Sequence, residues 1–223
     1  MNHFKPLNCR LHIPDMARPK EFDPKRALAK AVSVFWRLGY ENTSMEVLMR
    51  EMGIAKQSLY DTFGDKRALY LKALAYYRDE TNAGLRQVFE SNRCVRDGFA
   101  KILLDLSSES REQHERGCLL LSANLARDTG DAVIADFLRD NQATVESIFV
   151  KALRHAQERG ELPRGRNPIA LGRFFVVTIQ GMRAMARLKS DPKALKEVAR
   201  VALTVFDEGV KEESLHCGNF TSC

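Results

Sequence analysis

The residues best suited to chemistry sit close together: Lys56, Gln57, Ser58 and Tyr60 in one short segment, Thr43 and Ser44 before them, Lys66 after them. Their types suit recognition rather than catalysis. Gln57 offers one acceptor and two donors, the set that reads an adenine edge in the major groove. Ser58 can serve a base or a phosphate, and Lys56 can reach either. The Tyr60 hydroxyl can donate to a phosphate. Thr43 and Ser44 open a helix, where exposed backbone N–H groups favour an anion. Lys66 opens a later helix and can hold the same strand from the far side. Arg18 and Lys20 lie on a lead-in suited to backbone or minor-groove contacts.

These side chains need two short helices and a tight turn to present them. Thr43 and Glu46 read as a T-x-x-E capping box for a helix running to Glu51. Gly53 breaks that helix where a left-handed backbone costs glycine least. Residues 55–63 form the next helix, which Gly64 ends. Val47, Leu48, Ile54, Leu59 and Phe63 supply the hidden side, and the polar residues lie opposite. A helix, a turn with glycine and a second helix with a polar face meet the needs of a helix-turn-helix. The spacing alone also admits a plain pair of capped helices, with Thr43 a cap, Tyr60 a packing residue and the lysines solvated.

Around this pair the chain reads as all-α with nine helices, three in an N-terminal head and six behind it. Asp23-Pro24, Asn167-Pro168 and Asp191-Pro192 each combine a cap with a proline at the first helical position. They start helices over about 24–38, 168–189 and 192–212. A long helix over 65–91 spans about 40 Å, enough to link two domains. Others cover 93–110, 117–128 and 131–159. The expected division is a flexible arm over 1–22, a head over 23–70, a helical domain over 71–212 and a disordered tail over 213–223. Met1 to Asp15 are expected to be an extension without a role in the fold.

Composition bounds the function. The 223 residues are 44% hydrophobic and 29% charged, as in ordinary globular chains, and the net charge is +6. A basic balance leans towards an anionic partner. Cysteines at 9, 94, 118, 217 and 223 form no C-x-x-C pair and are odd in number, which points to a reducing cytoplasm. The start lacks the apolar stretch of a signal peptide. The longest apolar run, Phe174 to Met182, is too short to span a bilayer, so no membrane partner is expected. Metal and enzyme signatures are missing: no Glu-x-x-His pairs, H-E-x-x-H, P-loop or G-x-S-x-G. We expect no cofactor and no metal; His114 and Cys118, four apart, are not a site. A protein-only adaptor would not need Lys56-Gln57-Ser58 beside a tyrosine in this register.

Two stretches carry a resemblance: Phe35-Trp-Arg-Leu-Gly-Tyr-Glu-Asn-Thr-Ser, and Ile54-Ala-Lys-Gln-Ser-Leu-Tyr-Asp-Thr-Phe-Gly-Asp-Lys-Arg-Ala-Leu. Over about residues 22–72 the chain resembles the DNA-binding domain of the TetR family of transcriptional regulators. The resemblance implies an all-α homodimer, usually a repressor, whose third helix enters the major groove of an operator. It also implies a small-molecule effector bound in the C-terminal domain, which spreads the two reading heads and releases the DNA. Thr43, Lys56, Gln57, Ser58, Tyr60 and Lys66 match positions that commonly touch DNA. One position departs: four before Gly53 such motifs usually carry a small alanine, and here it is Met49. The larger side chain should alter the crossing of the two helices or be absorbed by flexible methionine packing.

Beyond residue 75 the resemblance thins. Gly117-Cys118-Leu-Leu-Leu and Ile179-Gln-Gly-Met-Arg-Ala-Met-Ala-Arg are similar to landmarks of one TetR subgroup. The last two helices carry apolar residues around most of their circumference, which favours a homodimer packed through them; a monomer core is the other reading. Candidate pocket residues are Phe99, Leu103, Cys118, Leu121, Ile148, Phe149, Phe174 and Met182, for most of which plain core packing is the simpler role. Cys118 follows Gly117 at a helix start, where thiolate is favoured. It is either a redox or electrophile sensor or an inert buried thiol.

Overall fold

The computed structural model describes residues 22–126, 131–189 and 191–207. The expected arm with Arg18 and Lys20, the tail, and Cys9, Cys217 and Cys223 lie outside the described residues. Among those described, the nine expected helices are present, no strand occurs, and one short extra helix appears. In chain order they are α1 Pro24–Leu38, α2 Met45–Met52, α3 Lys56–Phe63, α4 Lys66–Ser91, α5 Val95–Ser107, α6 Arg111–Arg116, α7 Leu119–Ala126, α8 Ala132–Glu158, α9 Pro168–Leu188 and α10 Pro192–Leu203, followed by one 3₁₀ turn, Thr204–Phe206. The unexpected α6 has a full capping box: the Ser110 hydroxyl accepts from the Gln113 N–H and the Gln113 side chain from the Ser110 N–H.

Local chemistry sets the ends. Asp23, Asn167 and Asp191 accept from the first N–H groups of α1, α9 and α10, each with proline at the helix start. α10 ends at Leu203, nine residues short of the expected 212, and passes into the 3₁₀ turn. The capping box expected at Thr43 and Glu46 does not form; the cap moves one residue on and is one-sided, because the N3 residue is then Val47. Ser44 caps α2, accepting from the Val47 N–H. Thr43 is buried instead and its hydroxyl donates to the Gly39 carbonyl at 2.6 Å.

Two buried clusters organise the chain. The first holds Phe35, Leu48, Leu59, Phe63, Leu69 and Tyr70 of the head together with Leu119, Leu120, Ile134 and Leu138 of α7 and α8. The expected boundary after residue 70 therefore falls inside α4, and the head's core runs across it. The second cluster joins α5, α8, α9 and α10 around stacked Phe99 and Phe175, whose ring centroids are 3.8 Å apart. α8 and α9 approach closely at Gly172, where a Cβ would stand 2.7 Å from Val150 Cγ2.

Candidate nucleic-acid interface and interior cavity

The head is held together by identifiable contacts. Gly53 adopts φ 71, ψ 39, the left-handed turn that joins α2 to α3. Leu48 and Leu59 are fully buried between the two short helices. Two lysines from outside the pair close its carbonyl ends. Lys30 of α1 donates to the Met52 carbonyl at 3.2 Å, and Lys72 of α4 donates to the Thr62 and Phe63 carbonyls at 3.2 and 3.1 Å. Cations at these helix ends also oppose the negative pole of each dipole. Sequence reasoning passed over both, because each caps a helix other than its own. Met49 is half-buried against the head cluster, so its bulk is absorbed by packing.

This scaffold leaves one face of α3 open. Lys56, Gln57 and Tyr60 are exposed and Ser58 is half-buried on it, with Ser44 exposed nearby at the start of α2. The N-cap of α3 is Ala55, which has no side chain able to cap it, so the first N–H groups of the helix remain for water or an anion. Gln57 Nε2 donates to Asp61 Oδ1 at 2.8 Å, one turn along, which holds the amide along the helix. Lys66 lies 4.4 Å over the Tyr40 ring and donates to the Glu41 carbonyl at 3.4 Å, so it braces the turn between α1 and α2. Thr43, buried, belongs to the scaffold and not to the open face.

A second feature lies behind the head. A cavity of about 290 Å³ opens between α4, α5, α7, α8 and α9. Of the expected pocket residues Cys118, Leu121 and Phe149 line it. The others correct the expectation. Phe99, Leu103 and Met182 are packed into the second core, Phe174 faces outward, and Ile148 lines a separate cleft near the C-terminal end of α4. Helical spacing does not separate cavity wall from core, and here the aromatic rings interlock. Sequence reasoning missed apolar wall residues such as Leu85 and Val145, and it missed every polar one: Asn82, Asn124, Asn141, Gln142, Gln180 and Arg183 among them.

Cavity and head touch through aromatic residues. The Tyr77 hydroxyl lies 3.9 Å from Cys118 Sγ, and burial with the nearby Cys118 raises the phenol above its ordinary pKa. The Tyr77 ring meets Trp36 of α1 edge-on at 4.8 Å. Trp36 Nε1 donates to the Arg116 carbonyl at 3.1 Å, at the end of α6. Among the described residues, no group of three His, Cys, Asp or Glu side chains is placed to hold a metal. His114 is buried, with a ring nitrogen 2.8 Å from the Leu106 carbonyl.

A compact helix-turn-helix with an open polar face, braced on a larger helical body, defines a class of helix-turn-helix DNA-binding protein. Comparison with known proteins gives the family. Residues 27–73 match the model of bacterial regulatory proteins of the tetR family, and residues 100–202 match the tetracyclin repressor-like C-terminal domain. The chain is 30% identical over 194 residues to the uncharacterised HTH-type transcriptional regulator YezE of Bacillus subtilis, covering 86% of this chain and all of that one. It is 31% identical over 198 residues to the HTH-type transcriptional repressor ComR of Escherichia coli, covering 87% and 93%. Among solved structures, a cysteine-substituted TetR family regulator CifR with 26-base-pair operator DNA superposes with a TM-score of 0.74 at 29% identity, covering 83% of this chain and 98% of that one. The chain belongs to the tetR family: it is a helix-turn-helix, DNA-binding regulator of transcription and not an enzyme.

Proposed function

We propose that the protein is a homodimeric repressor that holds a two-fold operator through α3 and releases it when a small molecule enters the cavity. The observation that carries this reading is the cavity's position. Its wall includes α4, which follows directly on α3, and Tyr77 of that wall packs on Trp36 of the head. A ligand that binds one arrangement of α4 better than another shifts the head by that difference in affinity. Gln57 reads base edges, while Ser44, Lys56, Ser58, Tyr60 and Lys66 hold phosphates on either side. Thr43 contributes by fixing the start of α2. The work is done on chromosomal DNA in the cytoplasm.

The dimer forms through α9 and α10. α9 is long and apolar enough to cross a membrane by composition, yet only 28% of that stretch is buried in the chain. Its uncovered residues, Phe174, Val177, Met185 and Leu188, form one stripe at helical spacing, with Val198 and Val201 of α10 also uncovered. A second copy covers such a face and sets two α3 helices against one two-fold site. The test is fluorescence anisotropy of labelled operator. Bound protein should release it on adding a ligand found by thermal-shift screening, and Trp36→Phe should weaken that release while keeping DNA affinity. A ligand that binds in the cavity without changing DNA affinity would refute the effector reading.

A second reading rests on Cys118, half-buried in the cavity wall beside Tyr77. Modification of its thiol by an oxidant or electrophile would place new atoms in the same cavity and act as a covalent effector. Cys118→Ser should then abolish release by oxidant and leave operator binding intact.

A further inference from the structure

The cavity is unusual in what lines it. One wall is apolar, with Leu85, Val145 and Phe149. The other carries side-chain amides from three helices. Asn82 of α4 donates to Asn141 of α8 at 3.4 Å, and Gln180 of α9 donates to Gln142 of α8 at 2.7 Å. Each pair satisfies one donor and one acceptor and leaves the complementary groups for something else. Asn82 is 4% exposed, and its Oδ1 has no hydrogen-bond partner. A buried acceptor without a donor is costly, and an ordered water or a bound molecule ordinarily completes it.

Charge narrows the class further. Arg183 is the charged side chain in the described lining, which contains no carboxylate. Glu109 approaches it only at 3.9 Å from outside the lining, leaving most of the five guanidinium N–H donors for a ligand. A single arginine with surrounding amides matches one negative charge of planar geometry, a carboxylate, better than a phosphate dianion. A cavity of about 290 Å³ is at the small end of ligand sites.

We propose that this cavity takes a small hydroxy carboxylic acid with an apolar body: the carboxylate on Arg183, the hydroxyl donating to Asn82 Oδ1, and the hydrocarbon part against Leu85, Val145 and Phe149. The proposal rests on the reading of this cavity as the effector site. It assigns that site's ligand class from the polar groups left unsatisfied in its wall.

The test titrates the intact protein, without DNA, by calorimetry against mandelate, phenyllactate, salicylate and lactate. Phenylacetate and phenylpropionate serve as acids without the hydroxyl, methyl mandelate as the uncharged ester, and toluene as the bare hydrocarbon. At least one hydroxy acid should bind about tenfold more tightly than its deoxy or esterified counterpart, the ratio set by leaving one buried polar group unpaired. Arg183→Gln should erase the preference for acid over ester. Asn82→Ala should erase the preference for hydroxy acid over deoxy acid and keep the acid preference. Retained melting transitions show that both variants fold. The proposal is overturned if no acid binds, if esters and toluene bind as well as the acids, or if the acid preference survives Arg183→Gln. Operator release separates the two readings. Acids that bind without releasing DNA would sink the effector role alone; a neutral compound that binds the cavity and releases DNA would sink the ligand class alone.

Discussion

Arg67, at the second position of α4, pairs with Asp131, the N-cap of α8. Arg67 Nη2 donates to Asp131 Oδ1 at 2.9 Å, and Arg67 Nε donates to Asp131 Oδ2. The same carboxylate accepts from the Val133 and Ile134 N–H groups. One side chain thus ties the end of the head to the start of a helix that walls the cavity. The Arg67 guanidinium and these backbone donors hold the Asp131 carboxyl down to about 2. A depressed carboxyl stabilises the fold above its unfolded value, and that contribution is lost as pH falls through the folded one. Asp131→Asn should therefore lower the melting temperature by a constant amount between about pH 5 and about pH 8. A difference that grows or vanishes within that range, measured by calorimetry, would show that another group controls the contact.

The open face of α3 makes a specificity prediction. Gln57→Ala should cost about 1–3 kcal/mol on the preferred operator and relax preference at one base position in each half-site. Asp61→Ala frees the Gln57 amide from its turn and should alter the preferred base more than the affinity. Competition against operators varied at every position reads both. Equal losses on all sequences would assign Gln57 to the backbone.

Lys66 and Lys72 both support the head, and they differ in whether a phosphate is expected to touch them. Lys66→Ala should weaken all sequences alike and reduce the salt slope by about one. Lys72→Ala removes the cation that closes α3 at Thr62 and Phe63 and should lower affinity with little change in the salt slope. Affinities measured over a salt series distinguish them.

The packing of α8 on α9 predicts a stability loss. At Gly172 an added Cβ stands 2.7 Å from Val150 Cγ2, a branched side chain with little room to turn. Gly172→Ala should destabilise by about 1–3 kcal/mol through overpacking, seen as a lower urea midpoint. An unchanged midpoint would show that the two helices separate freely.

The uncovered stripe predicts the assembly. Val177→Arg or Leu188→Asp, both at strongly exposed positions, should leave the fold intact and yield monomers by sedimentation. Such monomers should lose most operator affinity, since each then engages one half-site.

Features set within one turn of chain were legible in the sequence, and those set by packing between distant helices were not. Asp23-Pro24, Asn167-Pro168 and Asp191-Pro192 announce helix starts because cap and proline act within one turn. Gly53 announces the tight turn for the same reason. The start of α2 falls one residue later than expected, since Thr43 and Ser44 are both good caps and the bond from the Thr43 hydroxyl back to the Gly39 carbonyl, four residues earlier, leaves Ser44 as the cap. Helix α6 was legible in Ser110 and Gln113, whose box was overlooked. The cavity was not legible, because Asn82, Asn141 and Gln180 meet only after three helices pack. Met182 and Phe99 looked like cavity wall and are core.

Above all, the head of this regulator should read a specific DNA sequence. The most direct measurement is selection of bound fragments from sheared DNA of the source genome, followed by anisotropy titration of the enriched site. The expected result is an enriched inverted repeat, affinity that falls steeply with salt, and loss of discrimination in Gln57→Ala. Selection that enriches no site, or binding no tighter than to random DNA at every salt concentration, would contradict it.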